Sequence, residues 1–529
     1  MKKNWQILKK SAEAARAEHA DTTQRSWLMA CLRRNAATAY GRRYDFASIR
    51  DEDDYRAWVP LVACDDLAES IREIAGGGAD ILFAGTPVAF ELTGGSGGGR
   101  RLIPYSRESL ADFRAAMLPW IGSLAESCGL GAGRAYLAIS PVLRPCADLA
   151  DLSDVPVGLP DGAYLGAEAA AAFAGLFAVP PQVAAAASVE EWRILTGYYL
   201  LRTADLELVS VWSPTFWLGI LEGIAAERER LSSLLRGGGR IGGHALDADE
   251  AAFARLASYD ETSPETLWPT LMAISCWADA SSAPYAERLA SLFPHASVQG
   301  KGLLLTEGAV TVPDACGRPL PVQHGFTEFL DECGRSLLAH ELREGEVYEV
   351  AMTTAGGLYR YRAGDCVRCE GFLSDSSGSV NVPILRFAGR CGLCSDLVGE
   401  KLTDVFAAAC TARAGCRGML VPDSSGVPGY LLLTEDGDPV TAARLDEALC
   451  ANPQYAYARK LGQLRPVAAR QIDNLAARYT AFALAADRNL GDIKLPALCP
   501  DPLFAKFSEA GPRGSAPNPA RRLSLLDLP

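Results

Sequence analysis

Nine consecutive residues, Thr93-Gly94-Gly95-Ser96-Gly97-Gly98-Gly99-Arg100-Arg101, combine glycine or serine at six positions with two closing arginines. Glycine admits left-handed backbone and close approach, so successive N–H groups can converge on an anion while the guanidinium groups neutralise phosphate charge. A plain hairpin loop accounts for the same composition without a ligand. Two rival motifs depend on the residues just past the loop. A phosphate loop of the Walker A type needs a lysine, then serine or threonine, then a helix. Gly94-Gly95-Ser96-Gly97-Gly98 also satisfies the GxSxG pattern, but a nucleophile elbow requires a helix after the turn. Here the extended run Arg101-Leu102-Ile103-Pro104 comes next, which disfavours Ser96 as a hydrolase nucleophile.

Three further segments carry polar groups with chemical potential. Lys301-Gly302-Leu303-Leu304-Leu305-Thr306-Glu307-Gly308 sets one carboxylate at the end of an apolar strand. There it can share a magnesium ion with substrate phosphates, or serve as an ordinary surface glutamate. Tyr359-Arg360-Tyr361-Arg362-Ala363-Gly364-Asp365 alternates tyrosine with arginine and ends on a turn aspartate. Alternation predicts tyrosines on one side and arginines on the other. The aspartate can accept both hydrogen bonds of a ribose diol, or simply close an Asx turn. Gly491-Asp492-Ile493-Lys494-Leu495-Pro496 holds one of only nine lysines in a Gly/Pro-bounded loop, where a mobile ammonium can meet phosphate or remain solvated. The pairs Cys366/Cys369 and Cys391/Cys394 have a spacing that suggests zinc. Asp365-Cys366-Val367-Arg368-Cys369-Glu370 reads as strand rather than a chelating knuckle, however, so reduced and mostly buried thiols are expected.

These groups must be positioned by a chain of 529 residues, long enough for at least two domains. Apolar spacing predicts helices through residue 75. Short strands are expected at 81–83, 88–93, 101–104, 135–139 and 206–211. Helices are expected at 106–118, 163–177, 190–203 and 216–235. Beyond 300 the chain reads as strand-rich, and a separate texture starts near 390 with helices at 402–412 and 441–451 around a strand at 429–434. This alternation predicts an α/β (mixed α+β) fold, with a large body over 1–389 and a smaller domain over 390–529. The formal charge of −13 makes a nucleic-acid backbone a poor generic partner. Fifteen cysteines, an odd number, do not suggest a secreted disulfide scaffold. The first 20 residues lack a continuous apolar stretch and the alanine-rich tract 169–187 is broken by prolines, so no signal peptide or membrane span is expected, and a cytoplasmic location follows.

Taken in order, these segments resemble the GH3 auxin-responsive family of acyl-adenylate-forming amido synthetases, and the likeness suggests a bacterial-type member. It rests on Phe90-Glu91-Leu92-Thr93 with its glycine loop, Ile103-Pro104-Tyr105-Ser106, Ser213-Pro214-Thr215-Phe216, Leu305-Thr306-Glu307-Gly308 and the Tyr359–Asp365 motif. Asp396-Leu397-Val398-Gly399-Glu400-Lys401-Leu402, Asn452-Pro453-Gln454-Tyr455 with Arg459 and Gly462, and Lys494-Leu495-Pro496 extend it. The resemblance implies a two-domain adenylating-enzyme fold whose small C-terminal cap closes on ATP, Mg²⁺ and a carboxylic acid. It implies that Thr93, Gly95, Ser96, Gly98 and Arg101 face the β/γ-phosphates. Thr306 and Glu307 would lie by the α-phosphate and metal, Asp365 by the ribose, Arg390 at the domain junction, and Lys494 at the reacting phosphate and carboxylate. The expected reaction activates a small-molecule acid and joins it to an amino acid or amine, with no nucleic acid or membrane, in a monomer or weak dimer. Where the family loop carries hydroxyl residues this chain has Gly94 and Gly97, and where it carries lysine this chain has Arg101. Thioester formation with CoA and ligand binding without turnover are the alternative readings. Segments 137–144, 198–203 and 212–218 are the expected acyl-pocket walls.

Overall fold

The computed structural model describes residues 2–18, 23–94, 100–137, 155–159, 164–374, 381–392, 394–398, 400–460, 462–486, 488 and 493–508. Their contacts group the chain into two compact units, Met1–Cys391 and Gly392–Pro529.

In the first unit, the helical spacing near the N-terminus yields α1 (Lys2–Glu18), α2 (Gln24–Asn35), α3 (Ala39–Arg43), α4 (Glu52–Trp58) and α5 (Ala68–Ala75). Asp51 caps α4 by accepting from the amides of Asp53 and Asp54. The strand expected at 81–83 does not form. Its carbonyls are used elsewhere: Ile81 O accepts from Tyr40 N at 3.0 Å and Leu82 O from Tyr359 Oη at 2.8 Å. The hairpin of β1 (Ala89–Gly94) and β2 (Arg100–Tyr105) leads into α6 (Arg107–Ser127). Ser106 caps α6 through Ser109 N and also donates to Ala355 O at 2.9 Å, fixing the helix against a distant loop.

Next comes a parallel sheet of β3 (Arg134–Leu137), β4 (Leu206–Ser210), β5 (Ala273–Cys276) and β6 (Ser297–Gly300), in that order. All four residues of β5 are buried, as a strand covered on both faces requires. The crossovers hold α7 (Ala167–Ala174), α8 (Val189–Arg202), α9 (Pro214–Ala226), α10 (Arg228–Gly237), α11 (Glu250–Ala257) and α12 (Ala283–Leu292). The one helix expected over 216–235 is two, because Glu227 leaves helical geometry at φ −97° and ψ 17°.

A two-residue hairpin, β7 (Leu304–Leu305) with β8 (Gly308–Ala309), precedes an antiparallel sheet. That sheet comprises β9 (Phe326–Leu330), β10 (Ser336–Leu337), β11 (Val347–Thr353), β12 (Tyr361–Ser374) and β13 (Asn381–Arg390), in the order β10-β9-β11-β12-β13. Its inner face shares a core with the N-terminal helices, including Leu28, Phe46, Tyr55, Tyr359 and Val367. The expected alternation of tyrosine and arginine breaks at Arg360, whose φ of 49° is left-handed. Tyr359 stacks on Tyr40 with ring centroids 5.0 Å apart. Arg360 is buried against Glu328, while Arg362 is half-exposed.

The second unit has its own core around Leu402, Leu420, Tyr430, Leu449 and Tyr455. Helices α13 (Asp404–Ala414), α14 (Pro439–Leu449), α15 (Pro453–Lys460) and α16 (Leu475–Ala485) accompany β14 (Met419–Asp423), β15 (Gly429–Thr434) and β16 (Ala468–Gln471). Central β15 is antiparallel to β14 and parallel to β16. Asp446 anchors α14: it accepts from Arg459 Nη2 at 2.9 Å, Tyr455 Oη at 2.6 Å and Val467 N at 3.0 Å. Burial pushes this carboxyl up, but those donors outweigh it and hold it below its ordinary value.

Candidate active site

The β7–β8 hairpin leaves Thr306 and Glu307 as its turn residues. Gly308 follows with φ 157°, and a Cβ there would meet Met352 Cε at 2.9 Å, so the turn needs glycine for space as well as conformation. Tyr105 Oη donates to Thr306 O from β2, and Tyr361 Oη donates to Glu307 Oε1 at 3.1 Å from β12. On the neighbouring strand pair, register sets Asp365 opposite Arg390. Arg390 Nε lies 3.2 Å from Asp365 Oδ1, but off line, so that sealed oxygen accepts no hydrogen bond.

Glu307, Tyr361, Asp365 and Arg390 therefore form one cluster. Burial raises the Glu307 carboxyl above its ordinary value and the Asp365 charge adds to the rise, while Tyr361 and Arg390 act against it. A cleft open to solvent has Tyr105, Phe113, Glu307, His324 and Thr354 on its walls. Thr354 Oγ1 is buried there without a hydrogen-bond partner. The polar atoms on its walls suit a ligand rich in oxygen and hydroxyl groups.

Sequence reasoning missed Asp112, which lines the same cavity from α6. Its Oδ1 accepts from Trp27 Nε1 at 3.0 Å. Burial drives its carboxyl up to about 7, Glu108 contributes, and Trp27 and Arg34 oppose. Nothing in the local sequence distinguishes it from a solvated helix position. A carboxyl whose folded value exceeds its unfolded one favours the protonated native state, so stability falls as pH rises from about 4 through 7. Asp112→Asn is expected to stabilise the protein at pH 8 by roughly 1–2 kcal/mol, screened by solvent, and to change little at pH 4. Urea melts at the two pH values check the sign.

The glycine loop is the tip of an antiparallel hairpin. Thr93 faces Arg101 in the β1–β2 register and Gly94 faces Arg100; Gly95, Ser96 and Gly98 lie outside the described residues. A strand rather than a helix follows the tip, so neither the Walker A nor the nucleophile-elbow geometry is formed. Among the acyl-pocket segments, 138–144 is outside the described residues and Tyr198, Leu200 and Leu201 are sealed in α8. Trp212 reaches Lys301 instead.

In the second unit, Lys494 is half-buried between buried Ile493 and Leu495. The backbone is anchored shortly after it. Asp404 Oδ1 accepts from Ala497 N at 2.8 Å and Leu498 N at 2.9 Å, which holds the backbone three residues on. Glu400 is structural: its carboxylate accepts from Leu397 N, Val398 N and Tyr430 Oη.

The reduced-thiol expectation fails at one pair. Cys366 and Cys391 form a disulfide with Cα atoms 6.2 Å apart, because the β12–β13 register carries Cys366 to the end of the strand that Cys391 follows. Among the described residues no cluster of three or more His, Cys, Asp or Glu side chains is disposed to hold a metal. No described helix is long and apolar enough to cross a membrane.

Comparison with known proteins agrees with this geometry. Residues 11–139 match the GH3 family N-terminal domain and residues 319–390 the GH3 family central domain. A probable indole-3-acetic acid-amido synthetase GH3.1 of Arabidopsis thaliana is 35% identical over 94 residues, which is 17% of this chain and 16% of that protein. The first curated relatives are thus matched over a small part of their length. A probable indole-3-acetic acid-amido synthetase GH3.1 of Oryza sativa subsp. japonica is 26% identical over 523 residues, covering 83% of this chain and 79% of that protein. These relatives correct the expectation of a bacterial-type member, since the amido synthetases matched are plant proteins. The AtGH3.15 acyl acid amido synthetase structure, in complex with 2,4-DB, superposes with a TM-score of 0.79 at 19% identity, over 94% of this chain and 96% of that one. Two GH3 domain matches accompany a shared fold: the chain has the mixed α/β fold, with distinct N-terminal and C-terminal units, of that structure.

Proposed function

We propose that this protein is an ATP-dependent ligase that adenylates a small carboxylic acid and transfers the acyl group to an amino acid or another amine. The juxtaposition of Glu307, Tyr361, Asp365 and Arg390 carries the reading. Residues 1–389 form the acyl- and nucleotide-binding body, and 390–529 the mobile domain that brings Lys494. The protein acts as a cytoplasmic monomer or weak dimer, without nucleic acid or membrane.

The residues fit the ligands the reaction requires. Mg²⁺ keeps most of its water and takes one or two carboxylates plus phosphate oxygens, so Glu307 suffices as its protein ligand without a dedicated cage. Asp365, beside Arg390 in this cluster, takes the ribose hydroxyls. Thr306 sits beside the α-phosphate, Arg390 beside the nucleotide, and Thr93, Gly95, Ser96, Gly98 and Arg101 around the β/γ-phosphates. Backbone N–H groups replace the hydroxyl donors that Gly94 and Gly97 lack, and the Arg101 fork replaces an ammonium.

A carboxylate resists nucleophiles because its own charge repels them. Its oxygen attacks the α-phosphorus, the bond to the bridging oxygen breaks, and pyrophosphate leaves. Lys494, Arg101 and the loop amides hold the charge that gathers around phosphorus, and bound Mg²⁺ supplies further neutralisation. The amine then attacks the acyl carbonyl, AMP departs with the anhydride oxygen, and the nitrogen loses a proton to give the amide. Closure keeps water from the anhydride.

Acid-dependent ATP–pyrophosphate exchange across a broad panel of acids tests the first half. Mass spectrometry of products formed with amino acids, CoA and cysteine tests the second. Amide products are expected; thioesters would make the protein an acyl-CoA synthetase, and no exchange by folded, magnesium-supplied protein would leave only a binding role.

A further inference from the structure

Lys301 follows β6 directly, at the carboxyl end of the parallel sheet, where open α/β sheets receive ligands. It is 5% exposed. Its Nζ donates to Ser210 Oγ, at the end of β4, at 2.7 Å. The faces of Trp120 and Trp212 flank it, 5.0 and 5.3 Å from their ring centroids. No carboxylate comes within ion-pair reach of it among the described residues. The nearby Cys276 thiol is pushed up to about 12 by burial, so it supplies no anion near neutrality.

An ammonium has three donors, and one hydroxyl with two ring faces satisfies it incompletely. Burial lowers its pKa to about 8, which leaves most molecules charged at pH 7. A chain that needed only packing here would gain by a neutral side chain. The neighbourhood lies close to the cavity beside Glu307. Trp120 lies two turns along α6 from Phe113, roughly 10 Å, and Met117, Trp120 and Leu304 belong to one apolar cluster with Phe113 against it.

We propose that Lys301, between Trp120 and Trp212, binds a second carboxylate at the far end of the acid, so that the protein selects dicarboxylic acids. The assignment of which carboxylate is activated rests on the ligase reading; recognition of the distal one does not.

Calorimetric titration without ATP separates the two. The probes are naphthalene-2,6-dicarboxylate against 2-naphthoate, and suberate against octanoate, with the full-length wild type, Lys301→Met and Lys301→Arg. Wild type and Lys301→Arg are expected to bind the diacids about tenfold or more tightly than the monoacids, the worth of one charge-assisted contact. Lys301→Met is expected to bring that ratio close to one and to melt at the same or a higher temperature. An unchanged ratio in Lys301→Met, or no diacid preference in wild type, overturns the proposal. A lower melting temperature in Lys301→Met with the wild-type ratio retained would assign the lysine to packing and likewise overturn it. Diacid preference without pyrophosphate exchange by any acid would instead sink the ligase reading and leave this one standing.

Discussion

Glu307→Gln is expected to lower acid-dependent pyrophosphate exchange roughly 100- to 1000-fold, since it removes several kcal/mol of metal-borne charge stabilisation at the transition state. Glutamine preserves the size of the side chain and still offers Tyr361 Oη an acceptor in place of the 3.1 Å contact. It also removes a buried negative charge beside Asp365, so the fold does not weaken. The loss therefore belongs in kcat at saturating Mg²⁺, with an unaltered melting temperature. Exchange within threefold of wild type would show that the turn carboxylate takes no part in the chemistry.

Glu307 was legible in the sequence as a polar group ending an apolar strand and is found at such a place; Asp365, expected as a turn residue at a strand end, lies inside β12 instead, paired with Arg390. Their mutual approach was not legible. It depends on the hairpin at 304–309 meeting a strand that starts more than fifty residues later, which local spacing does not encode. Asp112 escaped notice for a similar reason: its perturbation comes from burial, which depends on packing against distant elements, and Trp27 on another helix only offsets it. The strand expected at 81–83 failed because apolar type was visible while the hydrogen-bond acceptors' destinations, Tyr40 and Tyr359, were not. The alternation drawn through 359–362 failed on a single dihedral, at Arg360. By contrast, β1, β2, β15 and the start of α6 lie where pattern and capping put them, since those signals are short-range, although α6 runs on through Pro119 to Ser127.

Glu328→Ala is expected to destabilise the first unit by about 3–5 kcal/mol, because it strands a buried cation rather than deleting a contact. The Glu328 side chain is fully buried and that of Arg360 is 7% exposed. Nη2 reaches Glu328 Oε1 at 2.7 Å and Nε reaches Oε2 at 2.9 Å. Arg360 Nη1 also donates to the carbonyls of Arg56 and Val59, at 2.6 and 2.7 Å. One guanidinium thus closes α4 onto the antiparallel sheet, and its charge has no second carboxylate to turn to among the described residues. Denaturation monitored by two probes, one for each unit, measures the effect without assuming a single transition. The double variant Glu328→Leu with Arg360→Met is expected to recover part of the loss. If Glu328→Ala alone costs less than 1 kcal/mol, the pair does not fasten α4 to the sheet.

The two amides that end on Asp404 also decide where this polypeptide can be shortened. Leu420 exchanges backbone bonds with Ala497 and Cys499, at 2.8 and 2.9 Å, so the stretch just past Lys494 serves as an outer partner for β14. Trimming the C-terminus back to residue 496 would uncover that sheet edge and release the lysine from its rear attachment at one stroke. Trimming that stops beyond Cys499 spares both.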